Sequence, residues 1–301
     1  MPVIKERHLE QPPEGYGVFG LLNFNRAISP DQSIRILFVI GTGRSGTHFL
    51  TKCLIGHKQI TDLMDGRENP RVFSLVTEAA VEERCTSRNL QIAAGRYAKL
   101  ARTASPAWLV DQSHPNIWHA EYWADVFPAS RFVGIIRNPY GVVASMLLHK
   151  GVRRWVEKWE DYPVPNKFLG IRAENVDEYR RMTIAERCAL RWAAHYKRMQ
   201  QLRGMLGDRL HVVSFETLCQ MPHTELSKVA HLAGIEAGFN LPEIDRATLT
   251  KYRSMAPADM RAVTSVLRAE GLSEFELETP DAELSSWRHT RESSMSQSPQ
   301  V

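Results

Sequence analysis

The sequence predicts an α/β protein: a P-loop-type, doubly wound parallel sheet flanked by helices, in a single domain. Three observations carry that expectation. Residues 34–40 (IRILFVI) are almost wholly apolar and β-branched, as in a strand buried on both faces. They run into a glycine turn, GTGRSGT, and then into HFLTKCLIG, whose apolar residues recur at helical spacing. Two more short apolar runs, 108–110 (WLV) and 131–136 (RFVGII), are set apart by segments of helical character. Strands alternating with helices pair in parallel, and such sheets take ligands at the carboxyl ends of their strands.

Each element follows in order. Residues 1–33 are rich in Pro and Gly without a period and are expected to form an irregular arm before an α/β domain at 34–280. Residues 70–104 read as two helices, and 116–127 as another. After the third apolar run, Asn138 suits a helix cap and Pro139 a first helical turn. Residues 149–175 mix aromatic, basic and Pro residues without a clear period. Met182, Ala185, Ala189, Trp192, Tyr196 and Met199, spaced three or four apart, form one apolar stripe. Residues 210–214 read as a last strand and 222–233 as a helix, and the polar tail 281–301 is expected to be disordered.

The 301 residues are 43% hydrophobic and 24% charged, the balance of a soluble globular protein with a sizeable core. The net charge of +4 favours an anionic ligand and argues against a nucleic-acid coat. Cys53, Cys85, Cys188 and Cys219 lie far apart with no CxxC pair, which argues against a zinc site and a redox motif. No metal is expected. No signal-peptide core or long apolar run is seen, so a cytoplasmic protein without a membrane span is expected, and a homo-oligomer is compatible with the pattern.

Chemistry is expected at three strand ends: 41–47, 111–114 and Arg137. In the first, glycines permit tight turning, and successive backbone N–H groups at a helix N-terminus can face a phosphate. Gly41 and Gly46 fit the Walker spacing, but Thr47 stands where that pattern needs lysine, and His48 follows. The cation sits earlier, at Arg44. The second anchor is RFVGIIRNPYGVVAS, in which a buried strand ends in Arg137 and Ser145 lies in the following helix. A guanidinium grips phosphate bidentately and a serine hydroxyl adds a bond.

RSGT after the first strand, with R-N-P and a serine further on, resembles the sulfotransferase family over 36–148, and less clearly to 234 through VVSFETL. The resemblance implies 3'-phosphoadenosine-5'-phosphosulfate (PAPS) as sulfuryl donor. It places Arg44, Ser45, Gly46, Thr47 and His48 at the 5'-phosphosulfate and Arg137 and Ser145 at the 3'-phosphate. His48 departs from the Ser or Thr usual there. Asp111-Gln112-Ser113-His114 resembles the family segment whose histidine is the general base, with Gln112 where a lysine is usual. Other branches use a carboxylate after the first helix, which makes Glu68 and Asp65 rival bases. The implied acceptor is a small molecule, sugar or peptide.

Asp111 after an apolar strand also fits a Walker B position, a reading weakened by the missing lysine. In 149–169, Arg153, Arg154, Trp155, Trp159 and Tyr162 suit an aromatic-walled lid or a plain amphipathic surface. Lys251 and Arg253 are candidates to close over the donor. Two competitors are an ATP-dependent phosphotransferase, disfavoured by Thr47, and a non-catalytic nucleotide or polyanion binder, disfavoured by the modest charge.

Overall fold

Alternation along β1 (Ile36–Gly41) builds the molecule outward from its centre. The computed structural model describes residues 31, 33–63, 69–82, 86–103 and 108–276. Every residue of β1 is buried. Ile36, Phe38 and Ile40 enter one core with Tyr97, Trp123, Phe132 and Met199. Leu37 and Val39 enter another on the opposite face, with Leu50, Leu54, Leu218 and Leu226. A strand points successive side chains to opposite faces, so a wholly apolar run demands cover on both.

The cover comes from the helices between strands. β1 leads to α1 (Thr47–Ile55), the edge strand β2 (Ile60–Asp62), α2 (Asn69–Val81) and α3 (Thr86–Thr103). β3 (Trp108–Asp111), α4 (Ala120–Val126) and β4 (Arg131–Ile136) follow. Next come α5 (Pro139–Leu148), α6 (Lys150–Glu157), α7 (Val176–Arg181), the long α8 (Ile184–Leu206) and β5 (Leu210–Ser214). α9 (Phe215–Gln220), α10 (Pro222–Ala233) and α11 (Pro257–Ala269) complete the described helices. All strand pairings are parallel, in the order β2-β3-β1-β4-β5. Register aligns Phe38 with both Asp111 and Phe132, so the chain leaves β1, β3 and β4 along one sheet edge. No described helix is long and apolar enough to cross a membrane.

Phe38 lies at the heart of the first core, stacked on Phe132 at 5.4 Å and Trp123 at 5.7 Å, with Tyr97 edge-on at 5.6 Å. Phe38→Ala is expected to lower unfolding free energy by about 3–5 kcal/mol, measured by chemical denaturation. A loss below about 1 kcal/mol would contradict this packing.

Several elements differ from the sequence expectation. β2 is three residues long, too short for a period to register. The helix expected over 116–127 divides at His119 into a 3-10 turn, His114–Trp118, and α4, because Asp111 draws Ser113 and Asn116 into a tight turn. Residues 150–157 form a helix, α6, whose Val152 and Val156 are buried, so this stretch is packed rather than a free lid. α8 starts after Met182, where the Thr183 hydroxyl accepts from Glu186 N–H and Glu186 returns a bond to Thr183 N–H. The candidate bases Asp65 and Glu68, and most of the expected arm and tail, lie outside the described residues.

Candidate active site

β1 delivers the glycine turn into a pocket where the backbone bends sharply. Ser45 N–H donates to Thr42 O at 3.0 Å, closing the turn ahead of α1. Arg44 adopts φ +79°, unusual for a residue with a Cβ, and Gly46 adopts φ +99°. A Cβ on Gly46 would lie 2.3 Å from the Phe215 ring, so both conformation and contact require glycine there. The Ser45 hydroxyl is buried and finds no hydrogen-bond partner among the described residues. A buried orphan hydroxyl is costly, and a ligand able to bond it removes that cost.

The second anchor arrives from β4. Asn138 caps α5, its side-chain oxygen accepting from Tyr140 N–H at 2.9 Å and Gly141 N–H at 3.3 Å. Arg137 Nη2 donates to Thr248 O at 2.6 Å and Nη1 to Arg44 O at 3.4 Å, while its guanidinium lies 4.4 Å above the Phe215 ring. Trp192 Nε1 donates to Arg137 O at 3.2 Å, and Asn138 N–H to Glu216 Oε1 at 3.0 Å. Ser145 on α5 accepts from Arg44 Nε at 3.0 Å, joining residues 101 apart in sequence. The two segments therefore share one cleft of about 550 Å³, lined in part by Arg44, Arg137, Ser145, Thr248 and Lys251. Arg253 is exposed, and Lys251 Nζ also pairs with Asp245 at 3.2 Å.

The third strand end carries His114. Asp111 is buried and accepts from Ser113 N–H at 2.8 Å, Ser113 Oγ at 3.1 Å and Asn116 Nδ2 at 2.9 Å. Burial raises its pKa to about 6 against the lowering effect of these bonds. Asp111 thus shapes the turn that presents His114. The His114 ring packs on Gly43, where a Cβ would lie 2.9 Å from Nε2. Phe73, Trp155 and Phe168 surround it at 5.6, 6.1 and 6.3 Å between ring centres. Burial first, and Arg191 second, push its pKa well below the ordinary imidazole value. His48 begins α1 with its outer edge exposed, and the partial burial of its ring and then Arg44 lower its pKa. The Gln112 Oε1 is buried without a partner among the described residues.

Sequence reasoning missed Phe215, which floors the loop under Gly46 and Arg137; Glu216, which ties β5 to the Arg137 turn; and Arg191, against His114. VVSFETL signalled the first two only as a weak resemblance. Arg191 gave no signal, since on the helix pattern it is one basic residue among many.

His119 and His195, both buried, and the half-buried His114 set a pH response. Burial holds His114 and His195 well below the ordinary value and His119 at about 4. The unfolded chain then binds more protons below about pH 6.5, so stability is present above that pH and is lost as pH falls. Asp111, raised to about 6, and Glu216, also raised by burial, act in the opposite sense and offset part of the loss. Net destabilisation of about 2–3 kcal/mol between about pH 7 and about pH 5.5 is expected from thermal melts, and a rise in Tm over that interval would refute it.

A sulfotransferase domain from the Synechococcus PCC 7002 olefin synthase is 16% identical over 80% of this chain and 96% of its own, with a TM-score of 0.49. A sulfotransferase from Alicyclobacillus acidocaldarius is 16% identical over 79% of this chain and 93% of its own, with a TM-score of 0.48. A mouse sulfotransferase complexed with PAP is 12% identical over 87% of this chain and 90% of its own, with a TM-score of 0.43. Among curated proteins none matches. The model of the sulfotransferase family matches residues 37–239, which hold the glycine turn, the Arg137 anchor and the segment that floors them. The chain belongs to the sulfotransferase family.

Proposed function

We propose that the protein moves a sulfuryl group from PAPS to a hydroxyl or amine of a small-molecule, carbohydrate or peptide acceptor. The reading rests on one observation: two cationic anchors, Arg44 on the glycine turn and Arg137 with Ser145 after β4, converge on a single cleft. A donor with a phosphosulfate at one end and a 3'-phosphate at the other calls for two such anchors. The partnerless Ser45 hydroxyl fits an anion at the glycine turn. Arg44, Ser45, Gly46, Thr47 and His48 would hold the phosphosulfate, and Arg137 and Ser145 the 3'-phosphate.

When bound, PAPS supplies a sulfuryl group whose departure leaves negative charge on the 5'-phosphate. The loop N–H groups and Arg44 are fixed before reaction, so they stabilise that developing charge more than the ground state. His114 takes the proton that the acceptor loses. Burial keeps its imidazole neutral, the form that can accept one. Asp65 and Glu68 are the rival bases.

Adenosine 3',5'-bisphosphate at about a hundred times its Kd is expected to raise Tm by about 5–10 °C, with AMP doing far less. Labelled sulfate should pass from PAPS to members of an acceptor panel. Equal stabilisation by AMP, or magnesium-dependent phosphate transfer from ATP instead, would replace this reading with a phosphotransferase.

A further inference from the structure

Arg191 is a charged side chain in the wrong place for an ordinary arginine. It is 0% exposed on α8, and no carboxylate among the described residues pairs with it. Its Nε finds no partner among the described residues, and Nη1 reaches only the Met146 sulfur at 3.9 Å. Phe168 and Trp155 lie under the guanidinium at 4.6 and 5.4 Å. Aromatic faces attract a cation, but they replace its lost hydration poorly. Burial pulls its pKa down to about 10, which still leaves it charged near neutrality. Its remaining contact is Nη2 against His114 Nε2 at 3.4 Å.

That contact has a direction. A guanidinium N–H only donates, so His114 Nε2 must be the acceptor and the ring proton must sit on Nδ1. The surrounding bonds hold both partners still. His195, one turn along α8, takes a bond from Trp118 Nε1 on its Nε2 at 3.1 Å. Its Nδ1–H is therefore the donor to Arg191 O at 2.8 Å. Arg198, on the same helix face, donates to Ile117 O at 3.1 Å and pairs with Glu121. One face of α8 thus grips the far end of the His114–Trp118 turn through His195 and Arg198, and its near end through Arg191.

We propose that Arg191 is the positioning residue of His114: its buried guanidinium fixes the orientation of the imidazole and its Nδ1–H tautomer, leaving Nε2 without a proton. Its consequence for turnover rests on the sulfuryl-transfer reading, since it matters there only if His114 serves that reaction. The geometric claim itself stands on the ligand-free protein. Other groups also act on the ring: Arg44 from the glycine turn adds positive charge, His48 from α1 and His149 after α5 add it only when protonated, and Phe73, Trp155 and Phe168 pack around it. Arg191 alone among them touches Nε2 by a hydrogen bond.

The test reads His114 directly. Long-range proton–nitrogen spectra, with the ring signals identified by their loss in His114→Gln, should show a neutral Nδ1–H imidazole in the unaltered protein at about pH 6.5, where an ordinary histidine is half protonated. Arg191→Met keeps bulk and flexibility and removes the charge. In it, the His114 titration midpoint should rise by about one pH unit or more, a tenfold change in proton affinity, and the second tautomer should appear. Arg191→Gln removes the charge and offers both a donor and an acceptor, so it too should let the tautomers mix. It carries the test should Arg191→Met fail to fold. A folded Arg191→Met, or in its absence Arg191→Gln, with an unchanged His114 tautomer would overturn the proposal. These spectra need no turnover, so the tautomer result holds even where the sulfuryl-transfer assay fails. If transfer is found, His114 takes the acceptor's proton at Nε2 only by giving up the Arg191 bond, so Arg191→Met should move the acid limb of kcat up with the His114 midpoint, with the KM for PAPS changed less than about threefold.

Discussion

Arg44→Ala is expected to reduce sulfuryl transfer by about two to three orders of magnitude, the loss typical when a fixed donor to developing charge is removed. Arg44 already holds φ +79° with a Cβ, so alanine meets the same backbone strain as the native residue. Its side chain is tied to the fold by the bond to Ser145 at 3.0 Å, so stability should fall by no more than about 1–2 kcal/mol. The loss should therefore lie in kcat, not in folded population.

Arg137→Ala supplies the contrast. That guanidinium bonds Thr248 O and Arg44 O and covers Phe215, so its removal loosens the cleft as well as the proposed 3'-phosphate anchor. The expected result is a rise of about thirtyfold or more in the KM for PAPS, with kcat retained within about fivefold. Steady-state kinetics with varied PAPS distinguishes the two. Equal losses of kcat with unchanged KM in both variants would refute the separate roles.

His114→Ala is expected to lower kcat by about 10²–10⁴-fold, the range for a general base. Near-normal rates would hand the proton to Glu68 or Asp65. The pH profile adds a second check. A base works deprotonated, so activity is lost as pH falls through its pKa. Burial and Arg191 hold that pKa well below the ordinary histidine value, so the acid limb should lie well below that value too. Initial rates measured within minutes separate this limb from the acid destabilisation of the fold. An acid limb near about pH 6.5 or above would contradict the buried, Arg191-flanked environment.

What the chain alone determined was whatever obeys a local period. A strand buried on both faces must be apolar throughout, which made residues 36–40 legible and placed the glycine turn after them. The Asn138 cap and Pro139 were readable for the same reason, since capping involves neighbours two and three residues apart. Only the tertiary structure decided which distant side chains meet. Arg44 with Ser145, Gly46 over Phe215, and Arg191 against His114 join residues 77 or more apart, and no periodicity connects such positions. The apolar stripe of α8 forecast a buried helix face. That a guanidinium would be buried on that helix, held by aromatic rings and an imidazole, follows from packing against α6 and the His114 turn. Backbone geometry acts through neighbours in the chain, whereas burial and charge act through neighbours in space.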